Sequence, residues 1–276
     1  MKEANNKHRI LILGASGFLG QAIYKELCGY FQTFGTYCTD NYGFEKNQHY
    51  FQYNIEEDDI FEILNSVKPT IIISAIRGNF SAQVIAHQHI AEYLVVNNSK
   101  LLFLSSANVF DAYSKFPSYE TDKTLSHSMY GHFKIKIENM LLRLPKGHAT
   151  IIRLPMVFGA QSPRIQEIKF FIKEKQPIEV FPNLIMNVTT DTKLTQQLHY
   201  LINRNKSGIF HLGSSDLVHH DDFFKEIMLS LGVVNPMFKQ VFTTNDDRYL
   251  AVLSKVNKLP KHLQLVSQDI LTELEV

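Results

Sequence analysis

The chain has 276 residues, 45% hydrophobic and 20% charged, enough for one large or two interlocked domains with a sizeable core. Its net charge of +1 gives no basic surplus for nucleic acid or an anionic membrane. No stretch approaches the ~18–20 apolar residues of a membrane span, and the first nine residues lack an apolar signal core. The chain therefore reads as cytoplasmic, with no nucleic-acid or membrane partner. Cys28 and Cys38 read as core thiols of a reducing compartment.

The first forty residues carry the clearest signal. Arg9-Ile-Leu-Ile-Leu runs into Gly14-Ala-Ser-Gly17-Phe-Leu-Gly20, then a helix-like segment to Tyr30, then a strand at residues 33–38. Apolar residues at Phe18, Leu19, Ala22, Ile23 and Leu27 follow helical spacing. Glycines in a strand-to-helix turn let backbone N–H groups approach a phosphate at a positive helix end. The pattern in this context predicts dinucleotide binding by Gly14, Ser16, Gly17, Phe18, Leu19 and Gly20. Asp40 follows Gly20 by 20 residues, where an acid can bind the adenosine ribose. It also sits in a polar turn cluster, so NAD and NADP both stay open.

His49–Tyr53 reads as a third strand, followed by Asn54 and Ile55 and an acidic helix start at Glu56–Asp59. Ile60, Phe61, Ile63, Leu64 and Val67 supply that helix's apolar face. Thr70–Ser74 has almost no polar interruption, as in a parallel strand covered on both faces. Ser74, Ala75 and Ile76 fall at its carboxyl end, where ligands of open α/β sheets sit. Arg77 reads as a solvated loop residue. A long helix spans 81–98, on which His87 and His89 point in different directions and read as surface histidines. Lys100–Ser106 is another buried-type strand, and a loop of about 20 residues, 107–126, follows without an obvious element of its own.

Tyr130 and Lys134 then open a helix at i, i+4 spacing, so both project from one face. Hydride transfer to a ketone leaves negative charge on oxygen and needs a proton donor beside it. A tyrosine, pKa about 10 unperturbed, can serve if a nearby cation lowers that value. A serine hydroxyl can hold the same oxygen. Ser106, Tyr130 and Lys134 are the residue types this chemistry wants.

The order Gly14-x-x-Gly17-x-x-Gly20, Ser106, Tyr130-x-x-x-Lys134 resembles the extended short-chain dehydrogenase/reductases. Ser105–Ala112 resembles the "STDYVFDG" segment of their dTDP-4-dehydrorhamnose reductase-like (sugar-nucleotide-binding) members. Pro117–Asp122 resembles the "P-Y-x-E-x-D" loop, and Arg153–Gly159 the "R-x-x-x-x-x-G" strand. The resemblance implies an α/β fold: a Rossmann-type doubly wound parallel sheet with a smaller C-terminal substrate lobe. It implies an NAD(P)-binding part over 1–160, to which about 183–214 returns, and a lobe of 161–182 and 215–276. It implies that Tyr130 donates the proton, Lys134 binds the nicotinamide ribose and Ser106 aligns the carbonyl. Asn54 and Ile55 take the place of an adenine-lining pair. The implied activity is reduction of a keto group on a nucleotide sugar. Epimerase or dehydratase chemistry and a catalytically weak regulatory subunit are the alternatives. The resemblance also implies a homodimer through helices flanking the sheet, though the apolar faces of 81–98 and 128–144 serve a monomer's core equally.

One departure stands out. The family's Thr-Asp-Tyr is here Ser106-Ala107-Asn108. A site built around the missing acid and phenol would not read the same sugar without them.

In the second half, Ser162-Pro-Arg164 starts a helix with Ile165, Ile168, Phe171 and Ile172 on one face. Short strands at 178–181 and 184–188 bracket a Pro182-Asn183 turn. Asp191 reads as the cap of a helix through Leu194, Leu198 and Leu201. Residues 208–213 form a further strand. His219-His220-Asp221-Asp222 looks like a metal cluster but reads better as carboxylates at a helix start, so no metal site is expected.

Overall fold

A computed structural model describes residues 8–39 and 43–274. Asp40 lies outside the described residues. In chain order the elements begin with β1 (Arg9–Leu13), α1 (Phe18–Leu27), β2 (Gln32–Tyr37), β3 (Tyr50–Gln52), α2 (Ile60–Val67) and β4 (Ile71–Ser74). They continue with α3 (Phe80–Asn97), β5 (Lys100–Ser106), α4 (Met129–Leu141), β6 (Ala149–Leu154), β7 (Met156–Phe158) and α5 (Pro163–Lys173). Next come β8 (Ile178–Val180), β9 (Leu184–Met186), β10 (Val188–Thr190), α6 (Asp191–Asn203) and β11 (Gly208–His211). The chain ends through β12 (Val218–His219), α7 (His220–Ser230), β13 (Phe238–Gln240), β14 (Arg248–Leu250) and α8 (Ser267–Leu274).

One seven-stranded sheet has the order β11-β6-β5-β4-β1-β2-β3, and its β1–β5 ladders are parallel. The order reverses between β1 and β4, which is the switch point of a doubly wound sheet. The α/β class expected from the sequence is the class observed. Its central strands are apolar throughout because both faces are covered: Ile10, Leu11, Ile12 and Leu13 are buried, as is all of β4.

The chain divides into two compact units. The first comprises Met1–Ser105, His132–Ile152 and Leu198–Ile209. Its core joins Leu11, Leu64, Ile72, Leu94, Phe103 and Ile137, among others. Helix α2 exists because Ile60, Ile63, Leu64 and Val67 form one buried stripe. Its Asp59 cap accepts the Phe61 N–H at 2.9 Å. Helix α3 is capped by Asn79, whose side chain accepts from Ser81 and Ala82. It ends at Asn98, with φ of 50°.

The second unit comprises Ser106–Gly131, Arg153–Gln197 and Phe210–Val276. It holds small sheets, β10-β7, β12-β9-β14 and β13-β8. Its core gathers Phe158, Ile165, Val180, Met186, Phe223, Phe224 and Ile270. Ser162 caps α5 by accepting the Ile165 N–H, with Pro163 in the first turn.

Several expectations change. Cys28 and Cys38 are free but exposed, because α1 stops at Leu27 and β2 at Tyr37, leaving both thiols just beyond their elements. His87 is no surface residue: it is fully buried on the inner face of α3, while His89 stays partly exposed. The 184–188 strand is two strands interrupted at Asn187. That side chain donates to the carbonyls of Ser214 and Val252 and accepts the Val252 N–H, turning the chain between β9 and β10. Asp191 is the first residue of α6 and not its cap. Thr190 Oγ1 accepts the Lys193 N–H at 3.0 Å in that role. Residues 107–126 contain a 3-10 turn, Ala107–Phe110, and a parallel bridge from Ser118 to Val252.

Candidate active site

In the first unit, the glycine turn follows β1 directly. Gly14 has φ of 78°, and an added Cβ would lie 3.0 Å from the Ala75 carbonyl oxygen and from Ile76 Cα. Both the conformation and the space demand glycine. Gly20 is tighter: its Cβ would sit 2.1 Å from the Gly14 oxygen, so α1 packs its first turn against the loop. Thr36 Oγ1 accepts the Gly14 N–H at 2.9 Å, and Gln21 Nε2 donates to the Ser16 carbonyl at 2.9 Å. Helix α1 has no side-chain cap and no acid in its first turn. Its leading N–H groups are arranged for an anion.

Asn54 and Ile55 follow β3. The Asn54 side chain accepts the Glu56 N–H at 3.1 Å, and Ile55 packs on the core of the first unit. At the end of β4, Ala75 N–H donates to the Leu13 carbonyl. Ser74 is buried and its hydroxyl meets His87 Nε2 at 2.9 Å. His87 Nδ1 lies 2.6 Å from the Gln83 carbonyl, which can only accept. The ring is therefore protonated on Nδ1 and accepts from Ser74 on Nε2. Burial pushes its pKa down to about 4.

Lys134 is buried on α4. Its Nζ donates to the Leu104 carbonyl at 2.8 Å and sits 4.6 Å from the Phe103 ring centre. Burial pushes its pKa down to about 7, with Glu138 working against that and Arg77 adding to it. Glu138, one turn on, accepts the Ser105 hydroxyl at 2.5 Å.

In the second unit, Ser106 closes β5. Its hydroxyl donates to Asn108 Oδ1 at 2.9 Å and accepts the Asn108 N–H at 3.2 Å. The residue that departs from the family's tyrosine thus holds the serine rotamer. Tyr130 is 39% exposed at the second position of α4. Its neighbour Gly131 fits against the loop before it: a Cβ there would lie 2.0 Å from Ser126 Oγ and 2.3 Å from the Asn108 carbonyl oxygen. Ser128 Oγ accepts the Gly131 N–H at 3.0 Å and donates to Asp111 Oδ2 at 2.5 Å. Burial would raise the Asp111 pKa, but hydrogen bonds from Ser128 and the His127 N–H lower it below the usual range. The helix sets Tyr130 and Lys134 one turn apart, and the Asn108 and Ser128 contacts fix where that helix begins.

The model of the RmlD substrate binding domain matches residues 8–257. The chain belongs to this family. The resemblance to dTDP-4-dehydrorhamnose reductase-like extended short-chain dehydrogenase/reductases is borne out at that level. Among curated proteins, the chain is 32% identical over 166 residues to a dTDP-4-dehydrorhamnose reductase of Aggregatibacter actinomycetemcomitans, covering 55% of this chain and 52% of that protein. It is 28% identical over 171 residues to methionine adenosyltransferase 2 subunit beta of Danio rerio, covering 55% and 48%. The chain thus spans about half the length of these curated relatives. A solved dTDP-4-dehydrorhamnose reductase from Bacillus anthracis, in complex with NADP, superposes with a TM-score of 0.77 at 18% identity. The match covers 97% of this chain and 98% of that one.

Three supporting residues, two of them inside the quoted motifs, had no role legible in the sequence. Asp111 lies in the segment that resembles "STDYVFDG" and Ser128 at the start of the tyrosine helix, and together they seat the start of α4. Ser128 stands three residues before the N–H it caps, a signal visible in hindsight. Glu120 is the third: its carboxylate accepts N–H groups from Lys255, Val256 and Asn257 and the Ser254 hydroxyl. Burial would raise its pKa, but the Lys255 N–H and the other donors hold it well below the usual range. Arg153 is buried beside it, over the Phe110 ring and donating to the Glu120 carbonyl and to His211 Nε2. His219–Asp222 open α7, where Lys225 bridges Asp221 and Asp222. Among the described residues no group of three His, Cys, Asp or Glu could hold a metal ion, and no helix is long and apolar enough to cross a membrane.

Proposed function

We propose that this chain is an NAD(P)-dependent oxidoreductase that reduces a keto group on a nucleotide sugar, in the cytoplasm. The observation that carries the reading is a glycine-rich turn leading into a helix without a side-chain cap, together with a buried lysine one helical turn from an exposed tyrosine. The NADP named for the Bacillus anthracis relative supports a dinucleotide in that turn. The turn fits one, because Gly14 and Gly20 let the loop close tightly against residues 75–76 and the first turn of α1, whose leading N–H groups have no side-chain cap. The proposed contacts are those of the turn with Asp40, Asn54, Ile55, Ser74, Ala75 and Ile76. Tyr130 and Lys134 serve the nicotinamide end. When bound, the reduced cofactor supplies the hydride.

The chain's own residues do the rest. Ser106 aligns the substrate carbonyl by turning its hydroxyl proton from Asn108 Oδ1 to the substrate oxygen, while the Asn108 N–H still holds its Oγ. Tyr130 transfers its phenolic proton to the oxygen as charge develops there. Lys134, protonated below pH about 7, favours the phenolate left behind. The substrate's sugar is set by the contacts that replace the family's acid and phenol after Ser106.

A second reading is a cofactor-binding regulatory subunit. The Ser106-Ala107-Asn108 departure motivates it, and the likeness to a subunit of methionine adenosyltransferase supports it. Fluorescence titration with NADH and NADPH tests the shared part. Micromolar binding that Gly20→Ala weakens at least tenfold supports both readings, and absence of binding removes both. Turnover then separates them.

A further inference from the structure

The second unit contains a cavity of about 420 Å³, within the size range of small-molecule sites. Tyr119, Gln197, Ser214, Ser215, Lys255 and Lys258 are among its lining residues, and no described Asp or Glu lines it. None of Ser106, Tyr130 or Lys134, nor any residue of the glycine turn, takes part. Two features mark it as built. The first is Gln197. It lies on α6 three residues after Leu194 and four before Leu201, both buried, so an amide interrupts an otherwise apolar stripe. It is 2% exposed. Its Nε2 donates to the Leu263 carbonyl at 2.8 Å, which fixes the amide's orientation and leaves Oε1 without a hydrogen-bond partner. A buried acceptor left unpaired is destabilising unless something else meets it. The second is the rim. Lys255 and Lys258 are exposed, but their segment is pinned from below by Glu120, which takes the N–H groups of residues 255–257. Lys255 Nζ lies 5.5 Å from the ring centre of Tyr119, and both residues line the cavity.

We propose that this cavity is a binding site for a small hydroxylated phosphate ester, of the sugar-phosphate class. Lys255 and Lys258 meet the phosphate, and a hydroxyl of the ligand donates to Gln197 Oε1. The site goes beyond the redox reading and does not depend on it. The test is calorimetric titration of the full chain with glucose 1-phosphate and, separately, inorganic phosphate, in the presence of saturating NADPH. Glucose 1-phosphate binds, inorganic phosphate binds at least tenfold more weakly, and Tyr130→Phe changes neither. The double variant Lys255→Ala/Lys258→Ala, confined to exposed side chains, loses at least tenfold in affinity for both probes. Gln197→Leu loses it for glucose 1-phosphate alone, and its thermal melt is recorded alongside because the substitution also removes the donor to the Leu263 carbonyl. Absence of glucose 1-phosphate binding overturns the proposal. So does equal binding of the two probes, or binding that the double lysine variant leaves unchanged. The lysine variant decides the matter should Gln197→Leu fail to fold.

Discussion

At the scale of single residues, the account rests on Gly20, Tyr130 and Lys134. Gly20 has no room for a methyl group: the Gly14 oxygen would lie 2.1 Å from it, and backbone cannot swing away as a side chain can. Gly20→Ala should cost stability by about 1–3 kcal/mol, as overpacking does, and weaken dinucleotide binding; thermal melts and fluorescence titration check the two separately. Lys134 is the residue where pattern and environment agree. Spacing alone put it on one face with Tyr130, and the structure adds a buried amine with its pKa near 7. His87 shows the opposite. Its spacing from His89 put the two on different faces, but periodicity did not reveal that His87 faces the core. Its partners, Ser74 and the Gln83 carbonyl, are supplied by tertiary folding and by its own helix.

At the scale of elements, boundaries were legible wherever a cap or an apolar stripe announced them. Helix α2 begins and ends where Ile60 and Val67 suggest, because Asp59 and the left-handed Lys68 punctuate it. The strand expected at 184–188 failed because Asn187 replaces ladder bonds with side-chain bonds, which no alternation encodes. The start of α4 matters most for function. Ser128 links its first turn to Asp111, and Gly131 lets it close on the loop. Ser128→Ala should cost about 1 kcal/mol of stability, as loss of a cap does. It should also lower kcat more than it raises the cofactor Kd, since Tyr130 is displaced while the glycine turn is untouched. Equal effects on the two would place Ser128 outside the catalytic arrangement.

At the scale of the whole molecule, the fold class was readable because strand composition and the glycine turn agree on a parallel doubly wound sheet. The closure of the second unit's loops was not, because it depends on long-range pairings such as Glu120 with residues 254–257. Acid stability follows from buried groups. Burial pushes His87 and His220 down to about 4 and lowers His211 as well, with Arg153 adding to that last shift. The unfolded chain then binds more protons than the folded one between about pH 6.5 and 4, so stability must fall as pH falls through that window. Glu120, held below its ordinary value, extends the loss from about pH 4.5 downward. Denaturant midpoints should drop steadily from pH 7 to 4, and His87→Gln should flatten part of that slope. A flat profile would mean these histidines are not buried neutral.

The central claim is that Tyr130 protonates a carbonyl reduced by a nicotinamide cofactor. Oxidation of NADPH and NADH, followed by absorbance with a panel of 4-keto nucleotide sugars, compares wild type with Tyr130→Phe. The account predicts turnover of at least one substrate by wild type and a loss of about 100-fold or more in kcat in the variant, with cofactor affinity retained. Turnover that survives Tyr130→Phe would contradict the mechanism, and tight NADPH binding without turnover of any substrate would contradict the assignment as a reductase.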